Sequence, residues 1–423
     1  MLLVKKINSM NIILSHPTGN ANVRAAALGL VNENMLTAFH TSIASFPGNI
    51  FDNLSKINFL SEFKRRAFDP LLQPVTHMHP LFESCRIISG KVGLQNLIRH
   101  ETGFFSIDAV YNQLDRKVSK KIICLKKKGL QGVYAYEDGA VESFKMGKKL
   151  GLKCYYDLPI GYWKVSRQLL SKEQEKWPEW AATLTGLMDS DKKLAQKDEE
   201  LLLADRIFVA SSFTAKSLQN FSEKLATIEI IPYGFPVVAA KREYLKLKQR
   251  PLKILFVGGL SQRKGIAELF AAVNTFGKNI ALTIVGKKVT MDCAALDTQL
   301  SKHKWIPSLP HHEILLLMRE HDVLAFPSLF EGFGLVITEA MSQGTPVITT
   351  ERTAGPDLIN HGENGWLIEA GSTASLKAVI DELLSKPEII INCGKAAIET
   401  ARARPWEKYG AELARAISSS VSS

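Results

Sequence analysis

The chain has 423 residues, 46% of them hydrophobic, and a formal net charge of +11. That length and composition fit two or three globular domains and exclude a disordered chain, and no apolar run approaches the roughly 20 residues needed to cross a bilayer. The five cysteines, Cys85, Cys124, Cys154, Cys293 and Cys393, are widely spaced and lack a C-x-x-C pair, and Leu2 to Val4 is too short an apolar core for a signal peptide; a cytoplasmic protein with buried free thiols is expected.

In chain order, Asn11–Ser15 reads as a strand, His16–Asn20 as a turn and Ala21–Val31 as a helix, the opening of a Rossmann-like unit. Thr37–Ala44 reads as a second strand. Between Phe51 and His100 the pattern is mixed and partly helical. There His77-Met78-His79 could hold a metal only from an extended segment, and no nearby carboxylate or cysteine completes a set. Val110, Leu114, Val118 and Ile122 recur every four residues, with Arg116, Lys117, Lys120, Lys121 and Lys126–Lys128 on the other side. This predicts an amphipathic helix with a cationic face, suited to solvent or to an anionic membrane or lipid phosphate. Residues 1–250 hold 36 Lys+Arg against 24 Asp+Glu, residues 251–423 hold 17 against 18, so the basic character belongs to the first half. No nucleic-acid-binding signature accompanies it, and no nucleic-acid partner is expected.

Leu130–Tyr136 and Leu152–Tyr156 read as strands ending in Glu137-Asp138-Gly139 and Asp157-Leu158-Pro159, with a helix, Val141–Leu150, between them. Ligands collect at the carboxyl ends of parallel strands, so Asp138 and Asp157 are candidate site residues. Trp163–Leu203 has helical spacing. Its Asp189-Ser190-Asp191 follows no buried strand, so a metal role there is not expected. Strands Arg206–Ala210 and Ile228–Ile231 close the half. Pro232–Pro236 and the basic run Lys241–Arg250 mark a boundary, giving a first domain over 1–235, a second over 236–402 and a terminal helix over 403–423.

The second half restarts the layout with strand Leu252–Val257, loop Gly258–Gly265 and helix Ile266–Phe276. Arg263 and Lys264, at a helix start where cations are otherwise unfavourable, suit a diphosphate. Strand Ile280–Val285, loop His303–Pro310 and helix His311–Arg319 follow. Strand Val323–Phe326 then leads through Glu331-Gly332-Phe333-Gly334 to helix Leu335–Gln343 and strand Thr345–Thr350. Amides from Phe333 to Val336, with the helix dipole behind them, form a phosphate site. Glu331 in the loop and Glu339 in the helix are acceptors for hydroxyl-rich groups. Two further helices, Ser375–Leu384 and Glu388–Arg402, precede the last one, Trp406–Ile417.

The run E-G-F-G-L-V-I-T-E-A-M-S-Q-G-T-P-V-I resembles the E-x7-E signature of retaining glycosyltransferases of family 4. The resemblance implies an α/β GT-B fold: two facing Rossmann-like domains, a cleft between them and a C-terminal helix crossing back. It implies a nucleotide-diphosphate sugar as donor, with no cofactor or metal, and a glycan, lipid-linked or small-molecule acceptor. Lys264 and Arg263 neutralise the leaving diphosphate, Glu331 holds sugar hydroxyls and Glu339 the ribose. Gly258, Gly259, Gly332, Phe333, Gly334 and Leu335 contact the donor, and Ile306 and Pro307 carry the loop against its base. Gly19, Asn20, Arg24 and Asp138 face the acceptor. Relatives carry a histidine where this chain has Tyr156-Asp157; Asp157 then stands as the base, or the leaving phosphate takes the acceptor proton. A phosphorylase or epimerase of the same fold, or a nucleotide-sugar-binding protein without turnover, are the alternatives.

Overall fold

The structure is a computed structural model that describes residues 10–56, 63, 65–244, 247 and 250–419. The expectations for the stretch before Met10, for Lys246 and Lys248 in the basic boundary run and for the last serines fall outside those residues.

Two wholly parallel sheets form the frame. The first has strands β1 (Ile12–Ser15), β2 (Leu36–Thr41), β3 (Thr76–Met78), β4 (Gly132–Tyr136), β5 (Lys153–Leu158), β6 (Arg206–Val209) and β7 (Thr227–Ile230), in spatial order 3-2-1-4-5-6-7. The second has β8 (Leu252–Val257), β9 (Ile280–Val285), β10 (Lys304–Ile306), β11 (Val323–Phe326), β12 (Val347–Thr350) and β13 (Gly365–Ile368), in order 10-9-8-11-12-13. Helices on both faces bury the strands, which explains why β1, β4 and β11 are buried at every position. In each sheet the order reverses beside the first strand, between β1 and β4 and between β8 and β11. The crevices outside those points are where ligands settle in such sheets.

β3 and β10 are edge strands of three residues where the sequence suggested a mixed segment and a loop. Their side chains are half-buried or exposed and lack the apolar run of a central strand. The helix Ile107–Lys126 buries Val110, Leu114, Val118 and Ile122 and exposes Arg116, Lys117, Lys120 and Lys121, as its spacing requires. Cys154, Cys293 and Cys393 are buried, but Cys85 is half-buried and Cys124, on the exposed face of the same helix, is open to solvent.

The joints between the halves are specific. At the crossover, the Phe235 amide donates to the Arg404 carbonyl at 2.9 Å. The last helix, Trp406–Ser419, then lies on the first, Ala21–Asn32. A Cβ on Gly29 would stand 2.5 Å from the Gly410 Cα, so only glycine lets these two backbones approach. Residues 163–187 leave the first sheet and pack on the second: Trp180 sits in the core around Leu252, Ile254 and Phe270, stacked on Phe270 at 5.8 Å between centroids.

Candidate functional site

The two crevices face one another across a cleft of about 440 Å³. From the second domain it is lined by Val257, Gly258, Lys264, Phe326, Glu331 and Phe333 to Val336, and from the first by His16, Asn20, Asn22, Tyr111, Tyr136 to Asp138, Pro159 and Tyr233.

Lys264 is placed by a tight 3-10 turn, Gln262–Lys264, capped by the Ser261 hydroxyl, which accepts from the Arg263 amide at 3.2 Å. Gly265 ends the turn at φ +68, and a Cβ there would lie 2.0 Å from the Pro327 carbonyl oxygen, so the turn is clamped against the end of β11. The Lys264 ammonium pairs with the Glu331 carboxylate and lies 4.8 Å from the centroid of the Phe326 ring. Arg263 reaches Glu331 at 3.4 Å and donates to the Phe330 carbonyl at 2.7 Å, so it props Glu331 from behind. Burial works to raise the Glu331 pKa, but the Lys264 and Arg263 charges outweigh it and hold the pKa below the usual value. For Lys264 the balance is reversed: desolvation lowers its pKa despite Glu331. The helix Leu335–Ser342 opens toward the cleft from Gly334, at φ +89. Glycine has no side chain to cap the first turn; the Ile337 amide donates to the Gly334 carbonyl at 2.9 Å, which leaves the Leu335 and Val336 amides to an incoming anion.

In the first domain, His16 follows β1. Its Nδ1 accepts from the Thr18 and Gly19 amides at 3.1 and 3.0 Å, which places the proton on Nε2, facing the Tyr111 hydroxyl at 3.5 Å. Burial, with Arg66 nearby, lowers its pKa to about 3, so the ring is neutral. Glu137 follows β4, and burial raises its pKa to about 7 against the pull of Lys197, whose ammonium is 3.3 Å away. Asp138 takes a left-handed φ of 70, its amide donating to buried Glu200 at 2.9 Å.

The structure thus brings Gly258, Lys264, Glu331, Phe333, Gly334 and Leu335 to the cleft from one side and Asn20 and Asp138 from the other. It places the remaining sequence-derived residues differently. Asp157 is inside the sheet, because β5 runs to Leu158, two residues beyond the expected end. Its carboxylate accepts from the Tyr134 hydroxyl at 2.6 Å within a cage that includes Tyr136, Tyr233 and Tyr409, and burial raises its pKa to about 7. Gly332 is an interdomain contact, since a Cβ would lie 1.9 Å from the Pro159 carbonyl oxygen and its own carbonyl accepts from Ser211 and Thr214. Arg24 donates to the Gly19 and Arg65 carbonyls at 2.8 and 2.7 Å, and Gly19 is pressed on Phe68; both shape the loop that holds His16. Gly259 turns toward Val289. Ile306 is half-buried and Pro307 exposed at the end of β10. Glu339, one helical turn beyond Leu335, bonds to His311 at 3.0 Å, and that bond raises the His311 pKa.

His16, Tyr111, Tyr136 and Glu137 are among the cleft residues that motif reading passed over. His16 and Glu137 each follow a strand at the switch point, and the rule that picked Asp138 would have found them. His79 bonds to His40 at 2.9 Å, and Asp189 pairs with Lys193 at 3.2 Å and lies with His100 and Glu101 in a group whose ligand atoms are within 4.8 Å of one another.

Residues 237–400 match a family model described as Glycosyl transferases group 1. The chain is 28% identical over 202 residues to a glycogen synthase of Mycobacterium tuberculosis, covering 45% of this chain and 48% of that protein. It is 32% identical over 173 residues to a D-inositol 3-phosphate glycosyltransferase of Corynebacterium glutamicum, covering 38% and 41%. The matched stretches therefore span about half or less of these curated relatives. Among solved structures, a sucrose-phosphate synthase from Thermosynechococcus elongatus superposes with a TM-score of 0.62 at 18% identity, over 98% of this chain and 99% of that one. Anabaena Alr3699/HepE in complex with UDP and glucose does so with a TM-score of 0.62 at 16% identity, over 97% and 100%. At such identities the likeness shows the fold, the GT-B arrangement of two facing Rossmann-like domains.

Proposed function

We propose, from the premise that the later domain of this chain belongs to the glycosyl transferases group 1, that the protein is a retaining glycosyltransferase taking its sugar from a nucleoside diphosphate. The observation that carries this reading is the pairing of Lys264 with Glu331 at the second domain's switch point, beside an uncapped helix N-terminus and opposite the first domain's switch point. A diphosphate bound there meets one ammonium and a turn of amides, while Glu331 is left to accept from sugar hydroxyls. Arg263 steadies Glu331, and Glu339 receives the ribose once His311 yields. The bond between the anomeric carbon and the phosphate oxygen breaks as the acceptor oxygen bonds on the same face. The acceptor proton passes to the leaving diphosphate, so no protein base is needed, which suits an Asp157 buried away from the cleft. Neutral His16, with Nε2–H toward the cleft, is placed to donate to an acceptor or sugar oxygen.

The complex of Anabaena Alr3699/HepE with UDP-glucose makes UDP sugars the first donors to try. The acceptor is a glycan, a lipid-linked glycan or a small hydroxylated molecule, in polysaccharide or glycoconjugate synthesis. The protein works in the cytoplasm without metal or cofactor, the cationic helix Ile107–Lys126 resting on anionic membrane; none of the described helices is long and apolar enough to cross one. Calorimetry with UDP, GDP and ADP sugars, followed by transfer assays with Lys264→Ala and Glu331→Ala, tests the reading. Full transfer by both variants would end it.

A further inference from the structure

The cationic turn that carries Lys264 belongs to the second domain, yet its outer side is held by the first half of the chain. Residues 163–187, rooted beside cleft-lining Pro159, cross to the second domain as a strap. At its tip the Thr183 hydroxyl accepts from the Gln262 amide at 2.9 Å, and the Thr183 carbonyl accepts from the Ser261 hydroxyl at 2.7 Å. Ser261 caps the turn and Gln262 begins it, so both bonds fall on the residues that orient Arg263 and Lys264. Buried Gln262 also donates to Glu268 at 2.8 Å and to Glu173 of the strap at 3.2 Å. Glu268 accepts from Lys176 at 2.9 Å and Trp177 at 2.6 Å, again from the strap. Trp180, stacked on Phe270 in the second domain's core, fixes the tip in place.

We infer that Thr183 is a positioning residue for donor binding: the first half of the chain supports the phosphate-binding turn, and donor affinity depends on that support. This rests on the function proposed above. On the other side the turn is already fixed to Pro327 through Gly265 and to Leu329 and Ser328, both of which donate to the Arg263 carbonyl. The strap completes a two-sided clamp. Because the strap is continuous with the loop after β5, a shift of the first domain reaches the diphosphate site through it.

The test uses the full chain with UDP as probe, or GDP or ADP if one of those is preferred. Thr183→Val removes the acceptor for the Gln262 amide at nearly constant volume, and Thr183→Ser keeps it. The valine variant is expected to weaken nucleotide binding and raise the donor KM by about tenfold, with kcat and the acceptor KM little changed. Thr183→Ser should return both to wild-type values, and amide exchange at Gln262–Lys264 should quicken in the valine variant alone. If wild type binds and Lys264→Ala does not, but a folded Thr183→Val binds and turns over like wild type, the strap inference is overturned and the proposed function stands. If Thr183→Val is unfolded by circular dichroism, Thr183→Ala is measured in its place and read by the same criteria. If wild type binds no nucleoside diphosphate, the proposed function fails and the inference fails with it.

Discussion

The Lys264–Glu331 pair is mostly buried, and its two members cannot be removed independently. Lys264→Met would leave Glu331 charged in a desolvated site with only Arg263 at 3.4 Å, at a cost of roughly 3–5 kcal/mol, while Lys264→Met with Glu331→Gln removes both charges and should recover most of that loss. Denaturant unfolding of the three proteins measures this, and neither variant should regain transfer. Asp157 gives a pH signature. Its folded pKa of about 7 is above the ordinary 3.8, so the fold favours its protonated form. That contribution is full below about pH 4 and is lost as pH rises toward 7. Asp157→Asn, which can still accept from Tyr134, should match wild type in Tm at pH 5 to within a few degrees and exceed it at pH 8. At this scale the sequence was most legible where residue type and loop position both pointed to one chemistry, as at Glu331, Lys264 and Gly334. It was least legible where a strand's last residue decided the matter: two extra residues of β5 carried Asp157 out of reach, a distinction that propensity does not resolve.

At the scale of elements, the central strands could be read because burial on both faces writes them as continuous apolar runs, and β8, β9 and β11 have the expected bounds. Edge strands β3 and β10 pair on one side only and need no such run, so their sequences did not separate them from loops. Packing between elements was hidden as well. Gly29 and Gly410, which no sequence signal singles out, set how near the first and last helices lie. Gly29→Ala should force them apart and lower stability by about 1–3 kcal/mol, seen as a fall in Tm with the far-ultraviolet spectrum preserved. The strap was equally unreadable: its helical spacing was visible, but the domain it packs on was not.

Across the whole molecule, charge is divided as the fold is. The basic first half carries the exposed lysines and arginines of Ile107–Lys126, and the second half is nearly neutral. If that face meets an anionic membrane, binding to phosphatidylserine or phosphatidylglycerol vesicles should fall steeply between 50 and 300 mM salt, about the range over which the Debye length shortens below 10 Å. Reversing Arg116, Lys117, Lys120 and Lys121 to glutamate should abolish it without lowering transfer to a soluble acceptor. The tyrosines around the Asp157 carboxyl carry a different message. Tyr134, Tyr136, Tyr233 and Tyr409 there, and Tyr156 on the opposite face of β5, all have hydroxyls that burial holds well above their ordinary ionisation range. In alkali these five side chains of the intact protein should therefore stay nearly silent at the phenolate absorption band, phenol ionising ordinarily at about pH 10. Their share of the band should then appear in one step as the chain opens, giving a label-free optical gauge of unfolding.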